Sequence, residues 1–401
     1  MKFTYLELYG WRNFASVKLN LHPRLTVITG ANGSGKTTIL NLLGQHFEPI
    51  PEFSAVPQYL NGKFMFRSDI RIEGGLIVDG IPESLAGMIR YSNGNEACRF
   101  FVPGQTGSTF SLFFMNSQEV RGCHISFLRP ISRYSSVTGS VSEFSLSPQE
   151  LFTELLATSE YQLFEVLKSQ LLRCARRETS STIDSEKANW FASYEELLRD
   201  ALPREIEFRN LLVRQNELLV KTENGEFSFD GSSGGIGSVI FICWKIFLCS
   251  MIDSQEFVVT LDEPENHLHP AMQQSLVTAL VRRFDNAQFI VGTHSPFVVN
   301  CWPDSAIYAL RFGEGGISSQ LLESSAIKSL TPDDILKEVL GLPFTMPLWA
   351  ADKLESVMDR YSGQLMTPEI FQSLVSDLKN SGLSDLIPES LELITKPFET
   401  E

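Results

Sequence analysis

Basic residues are in short supply: 33 lysines and arginines face 48 aspartates and glutamates, a formal charge of −15. A surface with that balance repels phosphate backbones. Any hold on nucleic acid must then come from a local basic patch or through a partner. The six cysteines (98, 123, 174, 243, 249 and 301) contain no C-x-x-C pair. Zinc spacing is missing, and a secreted disulfide framework is not expected in a chain of this length. Long apolar runs are also absent. The most membrane-like stretch, residues 239–252, is too short for a bilayer and contains Lys245, so it reads as a buried helix. Met1 to Leu8 alternates like a strand, without the charged head and apolar run of a signal peptide. No heptad pattern persists, which excludes a long coiled-coil arm, and no internal repeat or low-complexity segment is found. Together these absences predict a cytoplasmic protein that makes no membrane contact.

What is present is an apolar fraction of 43%, enough for a real core. Residues 1–50 read strand, turn, strand, glycine loop, helix. "KFTYLEL" and "ASVKLNL" alternate with period two, and "RLTVIT" runs into "GANGSGKTT" and the helical "TTILNLLGQHF". Candidate strands at 63–72, 97–102, 109–115 and 123–128 suggest an antiparallel β subdomain. From Ser147 to about Asn216 the pattern turns helical, opening on a Ser-Pro start with a glutamate soon after. A strand and loop, "GEFSFDGSSGG", lead to a buried helix that ends near Asp253. "EFVVTLDE" and "AQFIVGTHSPF" are strands flanking an amphipathic helix, and the tail from about Ser318 reads as mostly helical. The expected division is 1–145, 146–228, 229–317 and 318–401: two halves of a core, with a helical subdomain between them and a helical tail.

Gly30-Ala31-Asn32-Gly33-Ser34-Gly35-Lys36-Thr37 fits G-x-x-x-x-G-K-[ST], with a strand before it and a helix after it, and with Thr38 is expected to bind the nucleotide. Such a loop curls its N–H groups around phosphates. Lys36 supplies charge to the β/γ oxygens, and Thr37 can ligate Mg²⁺. This predicts ATP and Mg²⁺ as ligands and gives meaning to Asp262-Glu263 at the end of an apolar strand. P-loop proteins need an acidic strand end to hold the metal and aim water. Adjacent strand residues face opposite ways, so the two carboxylates divide the work: Asp262 to the metal shell, Glu263 to the attacking water. His294, after a second apolar strand, is the candidate γ-phosphate sensor. Ser232-Ser233-Gly234-Gly235 is a small loop leading into a helix, weak by itself but in order between the P-loop and the acidic strand end.

The order P-loop, "SSGG", "VVTLDEPE", "THS" resembles the ABC-type ATPases, closest to their SMC, RecF and OLD-like branch, which includes ATPases of bacterial anti-phage defence. The opening "LELYGWRNF" is similar to the first strand and basic turn of that branch. The resemblance implies an α/β ABC-type P-loop NTPase head with a mixed sheet, an antiparallel β subdomain and a helical subdomain. It implies that Arg12 lies near the nucleotide. Ser232 to Gly235 would be the signature loop reaching the γ-phosphate of another subunit, and Asn266 to Pro270 the loop at the dimer interface. His267 and His269 would then be interface or packing residues, not zinc ligands. The chain departs from the family at both ends of the signature, with Gly231 where leucine is usual and Gly235 where glutamine or glutamate is usual. Gln118 is the best candidate for a Q-loop glutamine. OLD nucleases add a Toprim domain with an Asp-x-Asp pair, which does not occur after residue 300, so the chain is expected to be an ATPase without its own nuclease.

Three functions fit. The first is a slow regulatory ATPase that dimerises head to tail, or assembles further, through its nucleotide sites and controls a separate effector such as a nuclease; nucleic acid would be met through that partner. The second is a RecF-like repair ATPase that clamps DNA itself, using local clusters such as 282–284 and 171–178. The third, the nucleotide-binding subunit of a transporter, suits neither the length nor the first-strand turn. Charge and motif wording favour the first.

Overall fold

The structure is a computed structural model. It describes residues 1–48, 52–60, 63–67, 75–78, 81–103, 107–130, 134, 147–177, 185–253, 255–322, 330–342, 346–361 and 367–383. Two compact units are present, Met1–Ile335 and Leu336–Glu401.

The first unit is built on one mixed sheet. Its parallel part comprises β3 (Leu25–Gly30), β12 (Gly122–Ile125), β16 (Phe257–Asp262), β17 (Ala287–Thr293) and β18 (Ala306–Gly313), in the order β18-β3-β17-β16-β12. Every residue of β3, β16 and β17 is buried, as expected of parallel strands covered on both faces. The other wing starts at β19 (Gly316–Leu322), which pairs antiparallel with β18 and parallel with β2 (Phe14–Asn20). Beyond β2 run β1 (Phe3–Tyr9), β8 (Ile81–Tyr91), β9 (Cys98–Pro103) and β11 (Phe113–Met115), all antiparallel, with β7 (Gly75–Val78) on the side of β8. Two small ribbons complete this region: β4 (Phe53–Ser54) with β10 (Thr109–Phe110), and β5 (Val56–Leu60) with β6 (Lys63–Arg67). Residues 68–72 of the strand expected at 63–72 lie outside the described residues.

Helix α1 (Lys36–Gly44) packs Ile39, Leu40, Leu42 and Leu43 beneath the parallel strands. The helical lobe holds α2 (Pro148–Ala157), α3 (Leu163–Arg177) and α4 (Ser185–Ala201). Ser147 accepts from Glu150 N while Glu150 reaches back to Ser147 N, so α2 begins in the capping box its sequence suggested. The expected helical run to Asn216 is interrupted. Residues 208–228 instead form a three-stranded sheet of β13 (Phe208–Arg214), β14 (Glu217–Thr222) and β15 (Gly225–Ser228). Gln215 and Asn216, both with positive φ (47° and 67°), make the two-residue turn that starts it. A turn of that shape usually advertises itself with glycine, and none is present here. The helical tail expected from Ser318 likewise begins later, because residues 316–322 are β19.

Helix α5 (Gly234–Ile252) is the buried helix expected up to about Asp253. By length and composition it could cross a membrane, but 78% of its apolar window is buried inside the protein. A helix apolar on all sides belongs in a core, and α2, α4 and α6 (Pro270–Arg283) surround this one. Trp244 at its middle is fully buried, lies edge-on to Tyr194 (4.8 Å, 70°) and donates Nε1–H to Gln170 Oε1 (2.8 Å). In the second unit, helices Leu348–Asp359 and Pro368–Asn380 close on each other through Ala350, Leu354, Val357, Leu374 and Leu378.

Replacing Trp244 by alanine should destabilise the protein by about 3–5 kcal/mol through the cavity left around α5, read as a lowered urea midpoint with the m-value unchanged. A loss under about 1 kcal/mol would mean that the lobe does not depend on this ring.

Candidate nucleotide-binding site

In a parallel sheet the loops after the C-terminal strand ends share one edge, which is where ligands bind. β3 delivers the glycine loop to that edge, β16 delivers Asp262 and Glu263, β17 delivers His294, and β12 delivers Arg129. Gln118 precedes β12 and so lies at the opposite end of the strand. Its side chain donates to Asn116 O (3.5 Å), and it has no place in the site.

The loop Gly30–Gly35 needs glycine at its ends for two separate reasons. At Gly30 (φ 146°) a Cβ would come within 2.5 Å of Leu310 O, and at Gly35 (φ 90°) within 2.3 Å of the Phe14 ring. Gly35 opens α1 with no side-chain cap and no acid in the first turn, so the positive helix end is left to anions. Asn32 and Gly33 form the exposed crest of the loop, while Ser34 is buried beneath it and donates its N–H to Ala31 O (3.1 Å). Lys36 is 4% exposed, its ammonium folded onto Gly30 O (3.0 Å) and Ala31 O (3.3 Å). Burial lowers its pKa, and the carboxylates of Glu263, Asp262 and Glu265 oppose that shift.

Thr37 Oγ1 donates to Asp262 Oδ2 (2.7 Å), while Asp262 Oδ1 is buried without a hydrogen-bond partner. Burial raises the Asp262 carboxyl to about 6, against the Thr37 hydroxyl that favours the anion. An orphaned carboxylate oxygen beside a threonine hydroxyl fits a hard divalent cation that keeps several waters and takes few protein ligands. Among the described residues there is no cage of three or more His, Cys, Asp or Glu.

Glu263 has already left the strand. Its φ of 44° turns it out of β16, so the separation from Asp262 comes from a left-handed residue as well as from strand alternation. Its Oε1 lies 3.6 Å from His294 Nε2, and its Oε2 accepts from Asn266 Nδ2 (2.9 Å). Burial, then the charge of Lys36, lowers the pKa of His294 and favours the neutral ring.

Two contributors escaped the sequence reading. Glu265 is nearly buried, and its Oε1 accepts from Thr293 Oγ1 (2.8 Å), His294 N (2.6 Å) and Ser295 N (3.1 Å). Burial raises its pKa. It fixes the main chain that carries His294. Arg129 donates Nη2 to Asp262 O (2.8 Å) and Glu263 O (2.9 Å), and burial brings its pKa down to about 10. The acidic "DEPE" spelling could have flagged Glu265; nothing in "SFLRP" flags Arg129.

Arg12 (φ 54°) donates Nη1 to Thr38 Oγ1 (3.1 Å) and Nη2 to Ser54 O (3.2 Å), with its guanidinium over the Trp11 and Phe53 rings. It therefore lies against the first turn of α1, beside the glycine loop. Ser232 to Gly235 lie elsewhere. Ser233 caps α5 by accepting from Ile236 N (3.5 Å), and a Cβ on Gly235 would come within 2.7 Å of His267 O. Among the described hydrogen bonds none joins residues 231–235 to the glycine loop. His269 caps α6 by accepting from Ala271 N (3.4 Å), and His267 (φ 66°) packs over the start of α5. Both histidines are thus in structural use.

A family model described as "AAA domain, putative AbiEii toxin, Type IV TA system" matches residues 134–300, and one described as "AAA domain" matches residues 5–47. The chain is 23% identical over 370 residues to Septu protein PtuA of Bacillus thuringiensis, covering 88% of each chain. It is 33% identical over 122 residues to the retron Ec83 probable ATPase of Escherichia coli, 26% of this chain and 22% of that one. The retron Vc95 probable ATPase of Vibrio cholerae serotype O1 biovar El Tor matches over 42 residues at 50% identity, 10% of this chain and 8% of that one. The two retron matches therefore span only a small part of those relatives. Among solved structures, the SMC head domain from Thermotoga maritima aligns with a TM-score of 0.43 at 15% identity, covering 80% of this chain and all of that one.

Two outcomes test the site. An acid whose folded pKa exceeds its unfolded value holds its proton longer in the fold, so its contribution to stability falls as pH rises from about 4 to about 6 and stays reduced above. Asp262→Asn should therefore stabilise the metal-free protein at pH 7 by about 2–3 kcal/mol, with no gain at pH 4; a loss at pH 7 would contradict the burial argument. Glu265→Ala should lower kcat for ATP about 10- to 100-fold with KM nearly unchanged, and Glu265→Gln, which keeps an acceptor oxygen, should lose less. A selective rise in KM would instead place Glu265 at the nucleotide.

Proposed function

We propose that this chain, an ABC-type P-loop ATPase of the SMC, RecF and OLD-like branch, is the regulatory ATPase of an anti-phage defence system, closing head to tail on ATP to control a separate effector, a nuclease by our reading. The observation that carries the proposal is a division within the site. The glycine loop, Asp262, Glu263 and His294 converge on one sheet edge, while Gly234 and Gly235 sit against His267, and no described hydrogen bond joins Ser232–Gly235 to the loop they would complete. One chain thus presents two complementary halves, as a head-to-tail pair of identical copies requires. The 88% mutual coverage with Septu protein PtuA supports the setting.

Bound Mg²⁺ would supply positive charge to the phosphate oxygens at Thr37 and Asp262. Lys36 would release its hold on Gly30 O and Ala31 O and turn to those oxygens. Glu263 would orient water and take its proton as the water oxygen bonds to the γ-phosphorus and the bond to the bridging oxygen breaks, leaving ADP and phosphate. His294, neutral and held by Glu265, would donate to a γ-phosphate oxygen. Ser232–Gly235 of a second copy would close the site. Turnover gated by that closure is slow and makes ATP a timer.

The DNA-clamp reading finds less support. Arg283 is tied to Ser193 O (3.4 Å) and Glu196 (3.5 Å), and Arg173 to Glu154 (2.7 Å). The side chains of residues 176–178 lie outside the described ones.

Native mass spectrometry of the protein from its own host, with and without ATP, tests the proposal. A complex of fixed stoichiometry with a second protein is expected, Glu263→Gln should accumulate an ATP-bound closed dimer, and Lys36→Ala should lose nucleotide. A dimer carrying DNA and no effector would replace this reading with the clamp. Wild-type turnover in Glu263→Gln would remove the catalytic assignment.

A further inference from the structure

The loop Ser232–Gly235 has little side chain of its own with which to hold a shape, and what holds its entrance is charge. Lys168 on α3 is fully buried and donates to Asp230 Oδ2 (2.6 Å) and Glu217 Oε2 (2.9 Å). Asp230, its side chain 3% exposed, lies in the single turn Phe229–Gly231 that delivers the chain into Ser232. The residue before it, Phe229, stacks on Phe164 of the same helix (4.9 Å, 2°). Helix α3 therefore grips the turn twice, by a ring and by an ion pair on consecutive residues. Glu217 opens β14, whose partner β15 ends at Ser228, so the same ammonium also fixes the strand pair that feeds the turn.

A buried ion pair contributes little net stability compared with apolar residues of the same volume, while losing one partner is costly. What such a pair does supply is direction: three groups must meet at one point. We propose that Lys168 is a positioning residue for the far half of the ATPase site, fixing Asp230 so that Ser232–Gly235 are presented to the nucleotide of a second copy. The inference rests on the head-to-tail reading above. Lys168 touches no nucleotide in this scheme; it acts through Asp230 and the turn.

Mixed dimers test it. With Lys168→Met in both copies, ATP hydrolysis should fall by about tenfold or more, while binding of a fluorescent ATP analogue changes less than about twofold. Lys168→Arg should recover most of the rate. A dimer with Lys168→Met in one copy and Lys36→Ala in the other retains one site with an intact glycine loop and an intact signature loop, so it should keep about half the wild-type rate. With both substitutions in one copy against a wild-type partner, each site has one defective half and hydrolysis should fall to about one-twentieth of the wild-type rate or less. If Lys168→Met does not fold, Asp230→Asn, which keeps the shape and removes the charge, takes its place in the same pairings. Unchanged hydrolysis, or a loss of analogue binding equal to the loss of rate, overturns the role of Lys168. The reverse ranking, with the dimer of the doubly substituted copy the faster, or equal rates, with Lys36→Ala still abolishing binding, overturns the head-to-tail reading instead.

Discussion

Three carboxylates, Asp262, Glu263 and Glu265, crowd the end of one buried strand, and the rest of the site depends on how they are kept there. Two buried cations offset their charge. Lys36 approaches from the glycine loop, and Arg129 reaches the carbonyl oxygens of Asp262 and Glu263 from the segment after β12. Burial penalises the charged form of Asp262 and the neighbouring Glu263 repels it, which is why its carboxyl is pushed up to about 6. A protein selected only for stability would not collect acids in this way. Functional sites accept such strain in exchange for activity.

The sheet makes the crowding possible. Strands β3, β16 and β17 are buried at every residue, so their C-terminal ends are rigid and register-locked, and residues far apart in sequence arrive within bonding distance. Glycine then lets backbones pass where side chains would collide: Leu310 O lies against Gly30 and Phe14 against Gly35. The antiparallel wing contributes Arg12, held over Trp11 and Phe53 and against Thr38. The wing and the parallel half therefore meet at the first turn of α1.

The helical lobe solves a different problem. Helix α5 begins in a loop of serine and glycine but continues as an apolar rod, clamped by α2, α4 and α6 and by the Trp244–Tyr194–Gln170 cluster. Its N-terminus is therefore as well placed as its middle. Charge enters this lobe at Lys168, Asp230 and Glu217, beside the loop, where direction counts for more than net energy. A second buried pair, Lys245 with Glu48 (2.9 Å), ties α5 to the chain after α1.

Legibility in the sequence followed locality. The glycine loop could be read because its chemistry is contiguous: eight adjacent residues, a strand before and a helix after. The placement of Asp262, Glu263 and His294 at strand ends could be read because each follows an apolar run, and α2 because its cap is spelled in four neighbouring residues. The hairpin at residues 208–222 could not, since Gln215-Asn216 turns the chain without glycine, and Leu-rich strands share their composition with helices. Arg129 and Glu265 act on backbone atoms of residues distant in sequence, through bonds that leave no pattern in spacing. Nothing in the spacing around Lys168 marks it out from other lysines on a helix. The sequence by itself determined the chemistry at each strand end, because a residue's functional groups and local propensities are its own. Only the tertiary structure decided which of those groups would be buried together, because burial and alignment are properties of the packed sheet.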